Sequence, residues 1–355
     1  MLGPPKLRSR PGEGRKEGHR TSLMTATAET LEELGWRAHF GAQVSVEEAG
    51  RVDPVRVMAV HRGQIAVAGA GSDRLVSPYI AGALPSDDHP TIGDWLLVDR
   101  DTLQPIRVLA RMNLFKRRAP ADPRREQMIA ANVDTVFIVA SCNQDFSVAR
   151  LERYVVLARE VGVQAVVVLT KTDLTDTPET FAAAARAIEP DLRVETVDGR
   201  DAADVARLAR WCGVGRTVAF LGSSGVGKST LVNTLRGSDS IATQAIRPKD
   251  DTGRHTTTVR AMHRLAGGGW LLDLPGMREL QLADAASGIA EVFDDFAAAA
   301  EECRFSDCSH GVEPGCAVQA AIAAGTLTEA RFERWRKLAA GERDNAARSA
   351  KRRSR

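Results

Sequence analysis

From about Val44 to Met112 apolar and polar residues alternate in short runs. VRVMAVHRGQIAVAGA alternates and breaks at Arg62-Gly63, a hairpin signal, and TIGDWLLVD and QPIRVLARM repeat the pattern. Several short strands in such a stretch point to a small β-barrel. An OB-fold is the leading candidate, with an SH3-like barrel or an embellishment of the next domain as alternatives. From about Gln127 to Leu282 the pattern changes. VDTVFIVAS, VQAVVVL, RVETV and TVAFLG are nearly continuous apolar runs, as expected of buried parallel strands. Between and after them ARLERYVVLAREVG, PETFAAAARAIE, DAADVARLARWCG and KSTLVNTLRG read as helices. This alternation predicts a doubly wound α/β domain. After Asp284 the chain is Ala-rich and helical, interrupted by a cysteine cluster. Residues 1 to about 30 are rich in Gly, Pro, Arg, Lys and Glu, a composition expected to be disordered, and Met24 is a second candidate start.

A chain of 355 residues favours two or three domains. The boundaries expected are a basic extension over 1–40, a barrel over 41–113, an α/β domain over 114–282, a helical domain over 283–342 and a basic tail over 343–355. Hydrophobic residues at 43% and charged residues at 26% are ordinary for a soluble globular protein. The net charge of +2 conceals clustering. KLRSRPGEGRKEGHR, the segment from Arg107 to Arg125 and the terminal AARSAKRRSR are basic, which favours a polyanionic partner such as RNA. No apolar run approaches a membrane span and the N-terminus lacks a secretory h-region, so the cytoplasm is the default expectation. Of five cysteines, three lie between Cys303 and Cys316. That is a poor disulfide framework and a plausible metal site.

GSSGVGKST, Gly222 to Thr230, fits the G-x-x-x-x-G-K-[ST] phosphate loop, follows the apolar strand TVAFL and precedes a helix. Gly222, Gly225 and Gly227 would let backbone N–H groups approach phosphate oxygens, with Ser223, Ser224 and Val226 completing the turn. Lys228 would reach the β- and γ-phosphates, and the Ser229 hydroxyl would ligate Mg²⁺. GGGWLLDLPGM supplies a second carboxylate, Asp273, and a D-x-x-G motif ending at Gly276, whose N–H can sense a γ-phosphate. The polar loop DDTGRHTTTVR lies between them, with Thr256 and Thr257 as candidates for a further Mg²⁺ ligand.

TKTDL, Thr170 to Leu174, resembles the guanine-reading N-K-x-D motif of GTPases. Asp173 would accept hydrogen bonds from the guanine N1 and N2 donors, a pair adenine lacks. Lys171 would pack on the base, Thr172 lies between them, and Thr170 stands where Asn is usual, which puts a loop contact or a base contact in doubt. Thr196-Val197, after RVET, is expected to close over the base edge. The base reader therefore precedes the phosphate loop. A parallel sheet collects its loops at one edge whatever the chain order, so a circular permutation keeps the site while moving the termini. It also ties the D-x-x-G segment directly to the C-terminal region.

CRFSDCSHGVEPGC places Cys303, Cys308, His310 and Cys316 together. Three thiolates and an imidazole make a closed Cys₃His set suited to structural zinc, with reduced free thiols as the alternative. Cys142 and Cys212 read as buried small apolar residues.

The order TKTD, GSSGVGKS, GRHTTT, DLPG, with a barrel before and a cysteine cluster after, resembles the circularly permuted GTPases of the ribosome small-subunit-dependent GTPase A family (RsgA/YjeQ), over roughly residues 35–340. The resemblance implies an OB-fold, a permuted G domain and a zinc-bearing helical domain. It implies a Mg²⁺-dependent GTP hydrolase, yielding GDP and phosphate, that binds the 30S subunit and its 16S rRNA. Hydrolysis would be stimulated by the subunit during late maturation, and the protein would act as a cytoplasmic monomer. A permuted GTPase acting on another RNA or on the large subunit is the alternative. Met277 occupies the position where many GTPases carry a water-orienting Gln, so slow intrinsic hydrolysis is expected. The family supports His255 as the water-positioning group, with packing or RNA contact as the alternative.

Overall fold

The computed structural model describes residues 28, 30–61, 63–80, 89–118, 126–237, 260–273 and 285–353. Two short helices, α1 (Ala38–Gly41) and α2 (Val46–Ala49), precede five strands. These are β1 (Val52–His61), β2 (Gln64–Gly69), β3 (Ser72–Val76), β4 (Trp95–Asp99) and β5 (Pro105–Val108). The hairpin expected at Arg62-Gly63 is present, with His61 opposite Gln64. β1 pairs antiparallel with both β2 and β4, giving the order β3-β2-β1-β4-β5. Strand alternation buries both faces. Val55, Val57, Ile65, Val67, Leu96 and Val98 form one core, while Val52, Met58, Trp95 and Leu97 join another with Leu34 and Phe40. Leu34 and Phe40 belong to the segment expected to be a basic extension. They are buried because Trp36 and Phe40 pack on Trp95, at 4.8 and 5.8 Å between ring centroids.

A hairpin absent from the sequence reading, β6 (Leu114–Arg118) with β7 (Glu126–Ala131), leads into the larger unit. There follow β8 (Thr135–Ser141), α3 (Val148–Val161), β9 (Gln164–Thr170), α4 (Pro178–Arg186), β10 (Arg193–Thr196), α5 (Ala202–Val205), β11 (Thr217–Leu221) and α6 (Lys228–Arg236). β12 (Arg260–Arg264) and β13 (Trp270–Asp273) complete the sheet. Its order is β10-β9-β8-β11-β13-β12, parallel except for β12. Alternate residues of each strand feed opposite cores. Val136, Ile138, Val167 and Leu169 face α3 and α4, while Phe137, Val139, Val166 and Val168 join Leu231, Val232 and Leu235 of α6. This is the doubly wound arrangement the apolar runs predict. β1 also pairs with β12, Ala59 opposite Ala261, so the two sheets are continuous. A register shift between Val57 and Ala59 marks a bulge of the kind that bends a strand so that it can serve two sheets.

DAADVARLARWCG does not form the single helix expected. α5 ends at Val205 and residues 206–211 tighten into a 3₁₀ helix. The buried residues Val205, Leu208 and Trp211 recur every third position, which suits three residues per turn.

The C-terminal region comprises α7 (Ala286–Val292), α8 (Asp294–Glu301), α9 (Ala317–Ala323) and α10 (Glu329–Arg353). It docks on α3. Glu160 accepts from the Ser287 hydroxyl at 2.8 Å and the Gly288 N–H at 2.9 Å. Fully buried Glu152 accepts from Arg334 Nε at 2.6 Å. Arg331 donates to the carbonyls of Ile188 and Val292, at 2.8 and 2.7 Å, and its guanidinium lies 4.8 Å from the Phe293 ring centre. A carboxylate taken out of water needs such partners, so α3 and α10 are held in a defined register.

Candidate nucleotide site and metal centre

The carboxyl ends of β8, β9, β10, β11 and β13 lie along one sheet edge, with Ser141 opposite Thr170 and Leu169 opposite Thr196. TKTD leaves β9 there and GSSGVGKS leaves β11, so segments about fifty residues apart become neighbours through parallel pairing. Gly222 has φ +142°, and a Cβ on it would lie 2.3 Å from the Val139 carbonyl oxygen. Only glycine allows the loop to leave the sheet so close to β8. Gly227, φ +95°, caps α6, whose first turn carries Lys228, Ser229 and Thr230. Its N–H groups and helix dipole favour an anion at this point. Lys228 Nζ donates to the Gly222 carbonyl at 2.7 Å and to that of Ser223.

Thr170 is more than a shortened Asn. Its hydroxyl is buried and lies 2.5 Å from the Val226 carbonyl and 3.2 Å from that of Ala140. A Cβ on Gly227 would come within 3.2 Å of the same hydroxyl. The loop contact that the substitution put in doubt is therefore kept, as a direct tie between base reader and phosphate loop. Thr170→Val should take the hydroxyl donor from the Val226 carbonyl and lower stability by about 1–2 kcal/mol, with weaker nucleotide binding. Chemical denaturation beside a nucleotide titration checks it, and an unchanged midpoint and affinity would remove the tie from the account.

A cleft of about 290 Å³ is lined by Thr170, Lys171, Asp173 and Leu174 on one side, Gly227 and Thr230 below, and Asp198, Gly199 and Arg200 opposite. Lys171 adopts a left-handed φ of +56° at the start of the 3₁₀ turn Thr172–Leu174. The closing wall is thus Asp198–Arg200, not Thr196-Val197. Val197 is fully buried and its N–H donates to the Leu169 carbonyl, so it belongs to the sheet. Asp198, Arg200 and Arg150 escaped the sequence reading. Arg150, at the start of α3, donates to the Ser223 hydroxyl at 2.8 Å. The available signal was position: each follows a strand that ends at the same sheet edge.

The other expected phosphate-side residues fall differently. Asp273 closes β13, two strands' width from β8 and next to β11, which places its backbone at that edge. Gly276, Met277, His255, Thr256 and Thr257 lie outside the described residues.

In the C-terminal region one ligand atom from each of Cys303, Cys308, His310 and Cys316 lies within 4.8 Å of the other three. Cys303 Sγ is 3.5 Å from His310 Nδ1 and 3.9 Å from Cys316 Sγ, and Cys316 Sγ is 3.7 Å from the same nitrogen. A tetrahedron with Zn–S near 2.3 Å has edges of about 3.8 Å, so these spacings fit a four-coordinate ion and exceed a disulfide bond. His310 takes a left-handed φ of +59°, and its carbonyl accepts from the Gln319 side chain at 2.8 Å. Its ring lies 5.3 Å from that of Trp335, which stacks at 5.4 Å on Phe296. Burial pushes the thiols of Cys142 and Cys212 up to about 11 and about 12, so both stay protonated, as small apolar residues of the core.

Comparison with known proteins agrees with this geometry. A family model described as RsgA GTPase matches residues 108–283. The small ribosomal subunit biogenesis GTPase RsgA 2 of Vibrio parahaemolyticus is 45% identical over 332 residues, covering 93% of this chain and 91% of that protein. The small ribosomal subunit biogenesis GTPase RsgA of Mesorhizobium japonicum is 46% identical over 318 residues, covering 89% and 90%. Among solved structures, YjeQ from Thermotoga maritima superposes with a TM-score of 0.60 at 23% identity, over 81% of this chain and 97% of that one. YloQ, described as a circularly permuted GTPase, gives 0.59 at 23% identity, over 82% and 96%.

Proposed function

The chain belongs to the RsgA family of GTPases, and on that premise we propose that it hydrolyses GTP in the biogenesis of the small ribosomal subunit. The observation that carries this reading is the single cleft shared by TKTD and the phosphate loop. A base reader and a phosphate cradle joined by one buried hydroxyl hold a nucleotide at both ends. Asp173 accepts from the guanine edge, Lys171 flanks the base, and Gly222–Thr230 wraps the phosphates with Lys228 at the β–γ bridge. The Ser229 hydroxyl, the Asp273 carboxylate and Thr257, with Thr256 as its neighbour, would hold Mg²⁺. The ion would offset charge on the phosphates. Gly276 would sense the γ-phosphate, and His255 would position the attacking water in place of the missing Gln.

Three units carry the activity: an OB-fold over 41–113, the permuted G domain over 114–282 and a zinc-bearing helical domain over 283–342. The strand order β3-β2-β1-β4-β5 supports the first, because the opening strand of an OB-fold pairs with the second and the fourth. The donor spacing of the Cys₃His cluster supports the third. No helix among the described residues is long and apolar enough to cross a membrane. The basic segments would meet 16S rRNA phosphates, in the cytoplasm, with the protein acting as a monomer.

The test is single-turnover GTP hydrolysis with and without purified small subunits. Slow hydrolysis alone and marked stimulation by the small subunit are expected. Stimulation by large subunits instead would replace the partner. His255→Ala should lose about a hundredfold of the stimulated rate, the range of a proton-handling or water-orienting group. It should keep GTP binding and salt-sensitive co-sedimentation. Full stimulation in that variant would remove His255 from the mechanism.

A further inference from the structure

Arg200 stands at the mouth of the cleft and bridges its two walls. Its Nε lies 3.2 Å from Asp198 Oδ1 and its Nη2 3.2 Å from Asp198 Oδ2, a two-point clamp within one loop. The same Nη2 reaches across the cleft to Asp173 Oδ2 at 2.9 Å. Asp198 is itself fixed at both ends. Its carboxylate accepts from the Arg200 N–H at 3.0 Å, and its own N–H donates to Asp204 of α5 at 2.6 Å. The guanidinium is thus held by a local turn and directed at the carboxylate on the opposite loop.

We infer that Arg200 is a specificity-determining residue that orients the Asp173 carboxylate toward the guanine edge, so that one oxygen faces N1–H and the other the 2-amino group. The inference rests on the guanine-nucleotide reading of this cleft. A carboxylate oxygen accepts along two lone-pair directions. Oδ2 can therefore keep its bond to Arg200 while receiving a base donor, and the arginine need not leave. With the outer direction of Oδ2 occupied, rotation about the Asp173 side chain would break an ion pair. Both oxygens then remain on the cleft side when the base arrives. Asp173 is part-exposed, so without this partner water competes for its carboxylate and its rotamer is less restricted.

The base edge provides the readout. Guanine offers N1–H and the 2-amino group, hypoxanthine offers N1–H alone, and adenine offers neither in that register. Displacement of a fluorescent GDP analogue by GDP, IDP and ADP, on the full-length zinc-loaded protein, separates the contributions. Wild type should prefer GDP over IDP and both over ADP. Arg200→Ala should weaken GDP by about fivefold, the upper range for a solvent-facing ion pair, and IDP by less, so the GDP-to-IDP ratio narrows. Arg200→Lys should fall between, since an ammonium cannot make the fork contact with Asp198 and still span to Asp173. Asp198→Asn should move the ratio in the same direction by a smaller factor. Unchanged melting and zinc content in these variants would show that the fold is intact.

Equal weakening of GDP and IDP by Arg200→Ala would overturn the inference, because it would mark a general effect on the loop. Tighter GDP binding would overturn it too, because the arginine would then be a competitor for Asp173. An unchanged ratio would make Arg200 a bystander. Wild type with no preference for GDP over ADP would instead defeat the guanine reading itself.

Discussion

Cys308→Ser should abolish metal binding at the proposed zinc site and unfold the segment between α8 and α9, with zinc falling from an expected one ion per chain to nearly none. The reason is local. The segment 303–316 has few apolar side chains of its own, and Val312 is wholly exposed. Its conformation includes a left-handed His310, which costs free energy in the absence of a compensating bond. Four donor atoms converge at the margin of the core, where Cys316 is buried, Cys303 and Cys308 pack against it and the His310 ring meets Trp335. Structural zinc contributes roughly 10–16 kcal/mol of apparent binding energy in small metal-folded units, far more than the few contacts of this loop. Loss of one thiolate should therefore disorder the loop and disturb the Phe296–Trp335 stack, seen as a change in tryptophan emission and a lost melting transition. The G domain should keep its nucleotide affinity, since the residues that line the cleft, from Thr170 to Thr230, lie on other elements. Metal analysis still showing one zinc per chain in Cys308→Ser would overturn the Cys₃His assignment.

Lys228→Ala should abolish productive triphosphate turnover while leaving the protein folded. The ammonium is the one cation placed by the phosphate loop itself, at the first residue of α6 behind Gly227. Its donation to the carbonyls of Gly222 and Ser223 shows that it lies back across the mouth of the loop. When phosphates occupy that mouth, the same head group can bridge the β- and γ-oxygens. Charge grows there as the terminal phosphoryl group departs, so the interaction strengthens in the transition state. Removing a donor aimed at such charge costs about 3–4 kcal/mol, or about 10²–10³ in rate. GTP affinity should fall more than GDP affinity, because only the triphosphate presents the γ-oxygens. Single-turnover hydrolysis beside separate GTP and GDP titrations checks this. Undiminished turnover would sink the assignment of the phosphate loop, and equal loss of both nucleotides would point to collapse of the loop.

Much of the molecule was legible as pattern because the forces responsible act between near neighbours. Runs such as VQAVVVL mark strands buried on both faces, and the glycines of GSSGVGKST mark backbone that no side chain tolerates. Four residues of metal-ligating type within one short segment announce their own proximity. The order TKTD before GSSGVGKS was equally plain, and it means the same site in a permuted chain because parallel strands deliver their loops to one edge.

Other features depended on contacts between residues distant in sequence. Composition placed the N-terminal forty residues outside the fold, yet Leu34 and Phe40 are buried in the core that Trp95 shares, with the Phe40 ring packed on Trp95. Helical periodicity reads as one helix over 201–213, but the spacing of Val205, Leu208 and Trp211 suits a tighter helix against the sheet. Thr170 looked like a weakened Asn until the Val226 carbonyl was found beside its hydroxyl, 56 positions along the chain. Arg200 carries no motif signal, and it is the pairing of β9 with β10 that sets it across the cleft from Asp173. Sequence by itself singled out the candidate residues, since residue type and local spacing define a phosphate loop or a thiolate set. Only the tertiary structure decided which partners hold those residues in place, because hydrogen bonds and ion pairs act over a few ångströms and chain separation says nothing of that distance.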